Sequence, residues 1–465
     1  MSCVMPSHLV AQFKELTGLE PTHYIRVPGR VNLIGEHTDY NGLPVMPMAI
    51  ERQVRLLVAP RTDQRVEVYN TVKRYEPRTF TISPQIAPYA TGDWGNYVKA
   101  GVQGIVTEAL ESGKALNDIR GFSALIDSSL PAAAGLSSSS ALVVASALAE
   151  LTVNGWSFDR EKLAEQMAAA EQYVGTMGGG MDQAVILLAQ AGSALKIDFF
   201  PLRITHVNLP PAYRVVICNS MIRAPKTAEA RLLYNRLPIE CRIATAVLAR
   251  ALSDRGVDQS VVRISEIVSA LSPDQVLEEA EKLFGDAHWT QQQVADYLGI
   301  TSQEVAARYM RLIDGATLPT PPEGFPLLRR IRHVITEGQR VEKSVKALSA
   351  GDALRFGELM NASHASCRDD YGISCPALDE LVGVARSAGA VGARLTGAGF
   401  GGCTVNLVHE DKVESFVETV IDRYYGGYLK KNHPELYSGL QTRGFDDVVI
   451  VGAPQQGAEI QPLNS

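Results

Sequence analysis

Residues 131–142, which read PAAAGLSSSSAL, decide how the rest of this chain is interpreted. Four consecutive serines follow a run of small residues, and a helix-forming stretch then covers residues 141–151. The preceding segment, GFSALID at residues 121–127, alternates apolar residues and predicts a strand. A strand, a small-residue loop and a helix follow one another, an order in which loop N–H groups and the helix N-terminus favour an anion.

Two interpretations of the serines are open. Serine is a favoured N-cap, so the loop could do no more than start a helix. Serine hydroxyls also donate to phosphate oxygens and can bind a hard cation. One serine would suffice for a cap, so four in succession after Ala-Gly-Leu favour phosphate binding.

Composition limits the class of protein. A chain of 465 residues is too long for one ordinary core and predicts two lobes. The net charge of -7 argues against a nucleic-acid partner, and we expect neither a secretory signal nor a membrane span. Six cysteines, at positions 3, 218, 241, 367, 375 and 403, form no CxxC pair, which predicts reduced thiols in a cytosolic protein.

A second unusual stretch is the loop at residues 30–42, RVNLIGEHTDYNG. A short strand at residues 24–27 and a turn at Pro28-Gly29 are predicted before it. The loop concentrates ionisable side chains among turn formers, namely Arg30, Glu36, His37, Asp39 and Tyr40. So polar a loop that also contains Val, Leu and Ile is not typical of a plain surface connection.

Two carboxylates near the triple glycine at residues 178–180 are candidates for chemistry. Asp182 follows the glycines at the predicted start of a helix, where an Asp is commonly just stabilised by the helix dipole. It could instead accept a proton from a hydroxyl that has to become nucleophilic. Glu171 is either a cation ligand or an exposed helix charge. Local pattern alone favours the simpler alternative for both.

Residues 397–402, GAGFGG, formally match G-x-G-x-x-G. The following CTVNLV predicts a strand and not a helix, which excludes a dinucleotide fingerprint. A glycine loop between two strands suits either a tight turn or close approach of the backbone to another group.

The remaining pattern predicts a mixed chain. Predicted strands cover residues 52–59, 65–69, 194–199, 214–219, 392–395 and 403–408. Predicted helices cover residues 94–111, 159–174, 181–190, 326–349, 352–367 and 376–388, and residues 240–325 are expected to be mostly helical. Within that stretch residues 289–309 predict two ordinary amphipathic helices rather than a DNA-binding helix-turn-helix. A lobe boundary is expected at residues 199–201 and a frayed tail over the last dozen residues.

Together the loops at residues 30–42, 131–140 and 396–402 resemble the GHMP kinase family, named for galactokinase, homoserine kinase, mevalonate kinase and phosphomevalonate kinase. GRVNLIGEHTDYN at residues 29–41 resembles the family's galactokinase signature, and PAAAGLSSS resembles its phosphate loop. LTGAGFGG at residues 395–402 resembles its C-terminal glycine motif, and GGMDQ at residues 179–183 resembles the segment with the catalytic aspartate.

The resemblance implies an α+β fold with two lobes and a site between them. It implies an N-terminal lobe at residues 1–200, of the ribosomal protein S5 domain 2-like type. It implies a C-terminal α+β lobe at residues 201–465 with a helical insert at about 240–325.

The resemblance also implies transfer of the ATP γ-phosphoryl group to the C1 hydroxyl of galactose, with Mg²⁺, by a cytoplasmic monomer without nucleic-acid or membrane partners. Asp182 would be the base and Arg30 its catalytic neighbour. The implied sugar contacts are Arg30, Glu36, His37, Asp39, Asp182 and Tyr234. The implied ATP contacts are Ala133, Ala134, Gly135, Leu136, Ser137, Ser138 and Ser139, and the implied magnesium ligands are Ser139 and Glu171.

Two alternatives stay open. Gly175-Thr176, the helical insert and the segment at residues 360–381 are closer to the N-acetylgalactosamine kinase branch, whereas Thr38 and Asn41 match galactokinases better. A non-catalytic galactose sensor would resemble the enzyme but with an altered serine loop, the name used here for residues 131–140. Residues 135–141 are uninterrupted and Asp182 is present, which argues against a sensor.

Overall fold

The computed structural model describes residues 6–131, 134–175, 178–222, 228–313 and 315–463, with the side chains of residues 228–231 outside the description. The strands are β1 (His23–Ile34), β2 (Met46–Pro60), β3 (Arg65–Asn70), β4 (Arg78–Thr81), β5 (Phe122–Ser128), β6 (Ser193–Asp198), β7 (Arg203–Asn208), β8 (Tyr213–Asn219), β9 (Gly392–Thr396), β10 (Cys403–His409), β11 (Val449–Gly452) and β12 (Glu459–Pro462).

The helices lie mostly after the first four strands, and those between β8 and β9 form one long helical stretch. They are α1 (Ser7–Thr17), α2 (Gly95–Glu111), α3 (Ser138–Val153), α4 (Arg160–Ala170), α5 (Met181–Leu188), α6 (Ala228–Ala251), α7 (Ile264–Ala270), α8 (Pro273–Phe284), α9 (Gln291–Leu298), α10 (Ser302–Tyr309), α11 (Leu327–Ser349), α12 (Ala353–Asp369), α13 (Pro376–Ser387), α14 (Val413–Val420), α15 (Lys430–Asn432) and α16 (Pro434–Arg443), with a π-helical turn at Ile421–Leu429 before α15.

Two sheets organise the chain. The first has the strand order β12-β1-β2-β5-β3-β4, antiparallel except for the β3–β5 pair, and α3 packs against β1, β2 and α2. The second has the order β11-β8-β10-β9, and β6 pairs with β7 in a separate hairpin. The apolar side of each sheet is buried beneath helices, as a mixed α+β architecture requires.

Most of the helices predicted from apolar periodicity are confirmed. The three helices predicted over residues 326–388 are α11, α12 and α13, and the stretch at 240–325 contains α6 to α10 with no strand assigned among its described residues. The Asp159 side chain caps α4 by accepting from the Lys162 N–H at 2.9 Å. The helix predicted to continue to residue 174 changes to a 3₁₀ turn at Glu171. The pair predicted at residues 289–309 is α9 and α10, each begun by a capping box.

The turn predicted at Pro28-Gly29 is wrong. β1 runs through both residues, since Val27 pairs with Val54 and Arg30 pairs with Ala49 in β2. The register shifts between Pro28 and Arg30, which marks a bulge. A bulge accommodates a proline that cannot donate to the ladder, so Pro-Gly bends the strand without ending it. The first half of the predicted loop at residues 30–42 is therefore strand.

The frayed tail predicted at the C-terminus is also wrong. β12 pairs antiparallel with β1, with Ile25 opposite Ile460, and forms one edge of the first sheet. The Gln455 N–H donates to the Ala49 carbonyl at 3.0 Å ahead of that strand. Backbone pairing across more than 400 positions leaves no trace in local composition. The predicted lobe boundary falls in the β6–β7 turn and stays a prediction.

Within the described ranges no helix is both long and apolar enough to cross a membrane. The cysteines that can be described, at positions 218, 241, 367, 375 and 403, are free thiols. Cys3 lies outside the described residues.

Candidate active site

The predicted loops meet at one cleft, which contains a cavity of about 480 Å³, within the usual size range of small-molecule sites. Its lining includes Arg30, Glu36, His37, Asp39, Gly135, Leu136, Ser137, Ser138, Ser139, Glu171, Asp182 and Tyr234 among the predicted residues. Ala134 is buried beside the lining, and Ala133 lies outside the described residues. The tertiary structure thus gathers residues from positions 30 to 402 at one place.

The centre of the cleft is an ion pair between Arg30 and Asp182. The Arg30 Nε donates to Asp182 Oδ1 at 2.7 Å, and Nη2 donates to Oδ2 at 3.0 Å. The third guanidinium nitrogen, Nη1, donates to the Gly135 carbonyl at 2.6 Å, which ties the pair to the serine loop. Burial alone would lower the pKa of Arg30, but the charge and hydrogen bonds of Asp182 raise it. A bidentate pair of this kind fixes both the charge and the direction of the carboxylate.

Asp182 lies in the first turn of α5, which begins after Gly180. On its other side it accepts hydrogen bonds from the Ser137 hydroxyl and, at 3.3 Å, from the Ser140 hydroxyl. Ser137 occupies the position just before α3 in the left-handed backbone conformation, with φ of 58°, and its side chain makes no capping hydrogen bond. A non-glycine residue in that conformation costs free energy and is held by its surroundings.

Glu171 stands next to this group through Ser140. The Ser140 hydroxyl lies 3.0 and 2.9 Å from the two Glu171 oxygens, and Gln183 also donates to the carboxylate. Burial, and then repulsion from Asp182, raise the pKa of Glu171 to about 7. Ser139, the predicted metal partner of Glu171, lines the cavity, while the hydroxyl in contact with Glu171 belongs to Ser140.

No cluster of three or more His, Cys, Asp or Glu suited to a metal ion occurs among the described residues. Mg²⁺ does not need one, because it keeps several waters and binds through one or two protein oxygens together with substrate phosphates. The Glu171 carboxylate and the adjacent serine hydroxyls are oxygen donors of that kind. The donor set therefore fits a magnesium ion that arrives with a nucleotide.

The loop from Gly35 to Asn41, called the sugar loop for its predicted role, approaches the same cleft from the other side. Asp39 Oδ2 accepts from the Gly179 N–H at 3.2 Å. A Cβ at Gly179 would lie 2.3 Å from the Tyr40 nitrogen, so this contact between loops requires glycine. Burial raises the pKa of Asp39 to about 6, and the nearby charge of Asp182 adds to that rise. Among the described residues, four carboxyl groups thus line one cavity, those of Glu36, Asp39, Glu171 and Asp182.

His37 is held as a neutral ring. Its Nε2 lies 3.3 Å from the Ala398 carbonyl, and its Nδ1 lies 2.9 Å from the Tyr40 hydroxyl. A carbonyl only accepts, so the proton belongs on Nε2 and the Tyr40 hydroxyl donates to Nδ1. Burial lowers the pKa of His37 to about 3. Tyr40 in turn lies 2.7 Å from the Tyr371 hydroxyl, a partner that local sequence reasoning missed.

Glu36 is the most deeply enclosed of the predicted sugar residues. Arg394 Nη2 and Asn32 Nδ2 donate to its Oε2 at 2.7 and 3.0 Å, and the Gly397 N–H donates to Oε1 at 2.7 Å. Burial raises the pKa of Glu36, and the Arg394 guanidinium opposes that rise. Arg394 is fully buried and was not predicted as a site residue; an arginine in an otherwise apolar strand was the available signal.

Helix α11 supports the sugar loop from beneath. Glu337 Oε1 accepts from the Gly35 N–H at 2.8 Å, and His333 Nε2 lies 3.0 Å from the Glu36 carbonyl. Burial would raise the pKa of Glu337, but Arg340, His333 and Arg394 together lower it to about 2. Neither Glu337 nor His333 was predicted, because their helical spacing is ordinary and only the fold brings them to the loop.

The glycine loop closes the cleft. A Cβ at Gly397 would lie 2.9 Å from the Gly135 carbonyl, so the two glycine-containing loops touch through their backbones. Close contact between the two backbones explains the glycine at this position, so a bound dinucleotide is not needed to account for it. Tyr234, on α6, completes the wall, with its ring centroid 5.7 Å from that of His37, and burial raises its pKa well above the usual value.

The geometry combines a positioned carboxylate, a guanidinium and a serine-rich loop at a helix N-terminus. Such a set can bind phosphate oxygens, hold a hydroxyl beside a base and stabilise charge on a transferred group. Positioning and electrostatics are most of what phosphoryl transfer requires.

Comparison with known proteins agrees with this chemistry. The family model described as the galactokinase galactose-binding signature matches residues 11–60. The models for the GHMP kinases N terminal domain and the GHMP kinases C terminal match residues 96–190 and 344–426.

Whole proteins match along nearly the entire length. Galactokinase of Dictyostelium discoideum is 32% identical over 93% of this chain and 89% of its own. Galactokinase of Roseiflexus sp. (strain RS-1) is 37% identical over 89% of this chain and 90% of its own. The crystal structure of Lactococcus lactis galactokinase complexed with galactose superposes with a TM-score of 0.74 at 28% identity, covering 97% of this chain and 99% of that one.

Proposed function

This chain belongs to the galactokinases of the GHMP kinase family, and we propose that its cleft transfers the γ-phosphoryl group of ATP to the C1 hydroxyl of galactose. Family membership makes it an ATP-dependent phosphotransferase that acts on a sugar. The observation that best supports the assignment of roles is the Arg30–Asp182 pair, held between the serine loop and the sugar loop.

Asp182 is the proposed base. The sugar oxygen forms a bond to the γ-phosphorus, the bond to the ADP oxygen breaks, and the C1 hydroxyl proton passes to the Asp182 carboxylate. Arg30 holds that carboxylate in place through two hydrogen bonds and offsets negative charge on the moving phosphoryl group.

The proposed sugar-binding set is Arg30, Glu36, His37, Asp39, Asp182 and Tyr234, all of which line the cavity. Asp39 is the strongest member, because its carboxylate lines the cavity and its hydrogen-bond donors are backbone N–H groups, including that of Gly179. Glu36 and His37 already have protein partners on their polar atoms, which supports a second task for them, the shaping of the loop that presents Asp39. An epimer of the correct sugar would place one hydroxyl differently and leave a buried acceptor unpaired.

The proposed ATP-binding residues are Ala133, Ala134, Gly135, Leu136, Ser137, Ser138 and Ser139. The N-terminus of α3 supports this role. The Ala141 N–H makes the first hydrogen bond of the helix, to the Ser137 carbonyl, so the N–H groups of Ser138 to Ser140 lie ahead of the helical ladder and suit phosphate oxygens.

Ser139 and Glu171 are the proposed magnesium ligands. When bound with ATP, Mg²⁺ would neutralise phosphate charge. Because Ser140 contacts Glu171 directly, Ser140 orients the carboxylate that the metal meets. The chain is further expected to act as a monomer in the cytoplasm, which light scattering and cell fractionation would check.

One substrate panel tests the assignment. The purified chain is assayed with ATP, Mg²⁺ and galactose, glucose, arabinose or N-acetylgalactosamine. We expect kcat/KM for galactose to exceed that for glucose, which differs at C4, by at least about 100-fold. Equal kcat/KM values for galactose and glucose would overturn the sugar assignment. A higher kcat/KM for N-acetylgalactosamine than for galactose would make N-acetylgalactosamine the assigned substrate. Galactose binding without turnover would indicate the sensor.

The variant Asp39→Ala sharpens that test. It should reduce sugar use strongly and leave ATP affinity nearly unchanged. Equal losses for both substrates would indicate that Asp39 supports the cleft rather than binding sugar.

A further inference from the structure

A second cavity of about 480 Å³ lies against the glycine segment at residues 178–180. It shares that segment and Ala168 with the cleft, while Arg30, Asp182 and the serines line the first cavity only. Much of the rest of its wall comes from the sugar loop, α4, α6, the β6–β7 turn and the segment before α7, with Gln172, Ala184 and Ile313 added from elsewhere. The reaction proposed above does not use this space.

Two arginines in the wall of the second cavity have unmatched donors. Arg242 Nε and Nη2 are buried without a hydrogen-bond partner, and Arg263 Nε is in the same condition. Among the described residues no carboxylate forms an ion pair with Arg242, whereas Arg263 Nη2 pairs with Glu266 at 2.8 Å. Buried guanidinium N–H groups without acceptors are costly, and an anionic oxygen is the acceptor that suits them best.

Apolar side chains gather at the mouth of this cavity. Phe200, Val262 and Ile313 are 56%, 57% and 41% exposed, although large apolar side chains are usually buried. The Arg263 guanidinium lies 3.9 Å from the centre of the Phe200 ring. An exposed apolar rim around buried cationic donors is typical of a ligand site rather than of plain surface.

We propose that this second cavity binds a small organic anion with an aromatic or apolar body. Its phosphate or carboxylate would accept from Arg242, and its body would lie on Phe199, Phe200 and Val262. Among the described lining residues Glu165 is the one acid, and it is exposed. Arg263 already has Glu266 as its partner, so Arg242 is the cation that the anion would meet. Galactose is neutral and offers no anionic oxygen to the unmatched arginine donors, so the ligand class differs from the substrate of the cleft.

The test uses phenyl phosphate as the probe and calorimetry as the readout. The cleft is first saturated with galactose and a non-hydrolysable ATP analogue, so that the probe meets only the second cavity. We expect phenyl phosphate to bind at least about tenfold more tightly than inorganic phosphate, because the apolar rim adds to the charge. No binding, or equal binding of the two anions, would overturn the proposal. Loss of phenyl phosphate binding on saturating the cleft would place the probe there and also overturn it.

Variants locate the site. Arg242→Met should weaken phenyl phosphate binding about tenfold or more, while Arg250→Met, an exposed arginine on the same helix, should leave it unchanged. Equal effects would indicate general surface charge instead.

Val262→Glu keeps the test decisive if Arg242→Met does not fold. It adds a negative charge at an exposed rim position and should weaken the probe several-fold. Unchanged binding in a folded Val262→Glu protein would count against the site. Galactose phosphorylation should persist in these variants, so failure of the anion site and failure of the proposed reaction are distinguishable.

Discussion

Two carboxylates that support opposite sides of the cleft, Glu337 and Glu171, have pKa values shifted in opposite directions. On the sugar side, the Glu337 carboxylate lies among Arg340, His333 and Arg394, and its pKa falls to about 2. On the phosphate side, Glu171 lies beside a second carboxylate, Asp182, and its pKa rises to about 7. Burial favours the neutral form of both groups, so the opposite directions come from the charges around them.

The comparison distinguishes a region whose charges are balanced by protein groups from a region whose charge a ligand would balance. The sugar loop already has its cations and donors, and it should keep its shape without substrate. The serine loop, Glu171 and Asp182 concentrate negative charge with Arg30 as their cationic partner, and a metal with phosphate would complete them. The sugar side is thus preorganised by protein contacts. The phosphate side carries negative charge that a bound ligand would stabilise.

The largest effect is expected for Asp182→Asn, on the phosphate side. Asn keeps the size of Asp but cannot take a proton, so kcat should fall by roughly 10²–10⁴-fold while ATP and galactose still bind. A coupled ADP assay, with calorimetric binding and thermal melting on the same variant, measures this.

If Asp182 were no more than a helix-end charge, Asn would cost at most about 1 kcal/mol of stability and leave the rate intact. A near-normal kcat in Asp182→Asn would contradict the assignment of Asp182 as the base.

Arg394→Met should give the next largest effect, on the sugar side. It leaves the Glu36 carboxylate buried without its cation, which typically costs about 3–5 kcal/mol of unfolding free energy. Urea denaturation would measure it, with the exposed Arg355→Met as the matched control. A loss near that of the control would mean that the buried pair does not hold the sugar loop.

Glu171→Gln should change the magnesium response by a smaller amount. Only the ionised carboxylate binds the metal, and a group with a pKa of about 7 loses that form as pH falls. In the unmodified chain, the Mg²⁺ concentration for half-maximal rate should rise below pH 7, by up to about tenfold per pH unit. In Glu171→Gln it should be high at every pH.

Glu150→Gln is the control for that experiment. Burial raises the pKa of Glu150 to about 8, but this residue lies within α3 away from the lining of the cleft. Its folded pKa lies above the unfolded value, so folding takes up a proton and stability falls as pH rises from about 5 to 8. Gln should remove that fall and leave the magnesium response unchanged. A magnesium response altered as much as in Glu171→Gln would show that loss of any buried carboxyl suffices.

The smallest effects are expected from the serines. Ser140→Ala removes hydrogen bonds to Glu171 and should cost about 1 kcal/mol of stability. Ser139→Ala should leave stability nearly unchanged and raise the magnesium requirement more than Ser140→Ala does. The reverse order would assign the metal to Ser140. Melting curves and magnesium titrations of the two variants decide between them.

Local pattern was enough for much of the fold. Apolar periodicity predicted α11 to α13, and capping chemistry predicted the start of α4 at Asp159. The special loops were recognisable because serine runs, glycine runs and dense charge are rare in ordinary connections. Such features are properties of neighbouring residues, which a sequence displays directly.

By itself, then, the sequence determined which residue types are available for phosphate, sugar and proton transfer, since their order along the chain is specific to the family. The tertiary structure alone decided which of them have partners. It pairs β12 with β1, seats Arg394 on Glu36, and brings Ser140 rather than Ser139 into contact with Glu171. The physical reason is that a charge depends on everything within a few ångströms of it, and in a folded chain those neighbours come from distant positions.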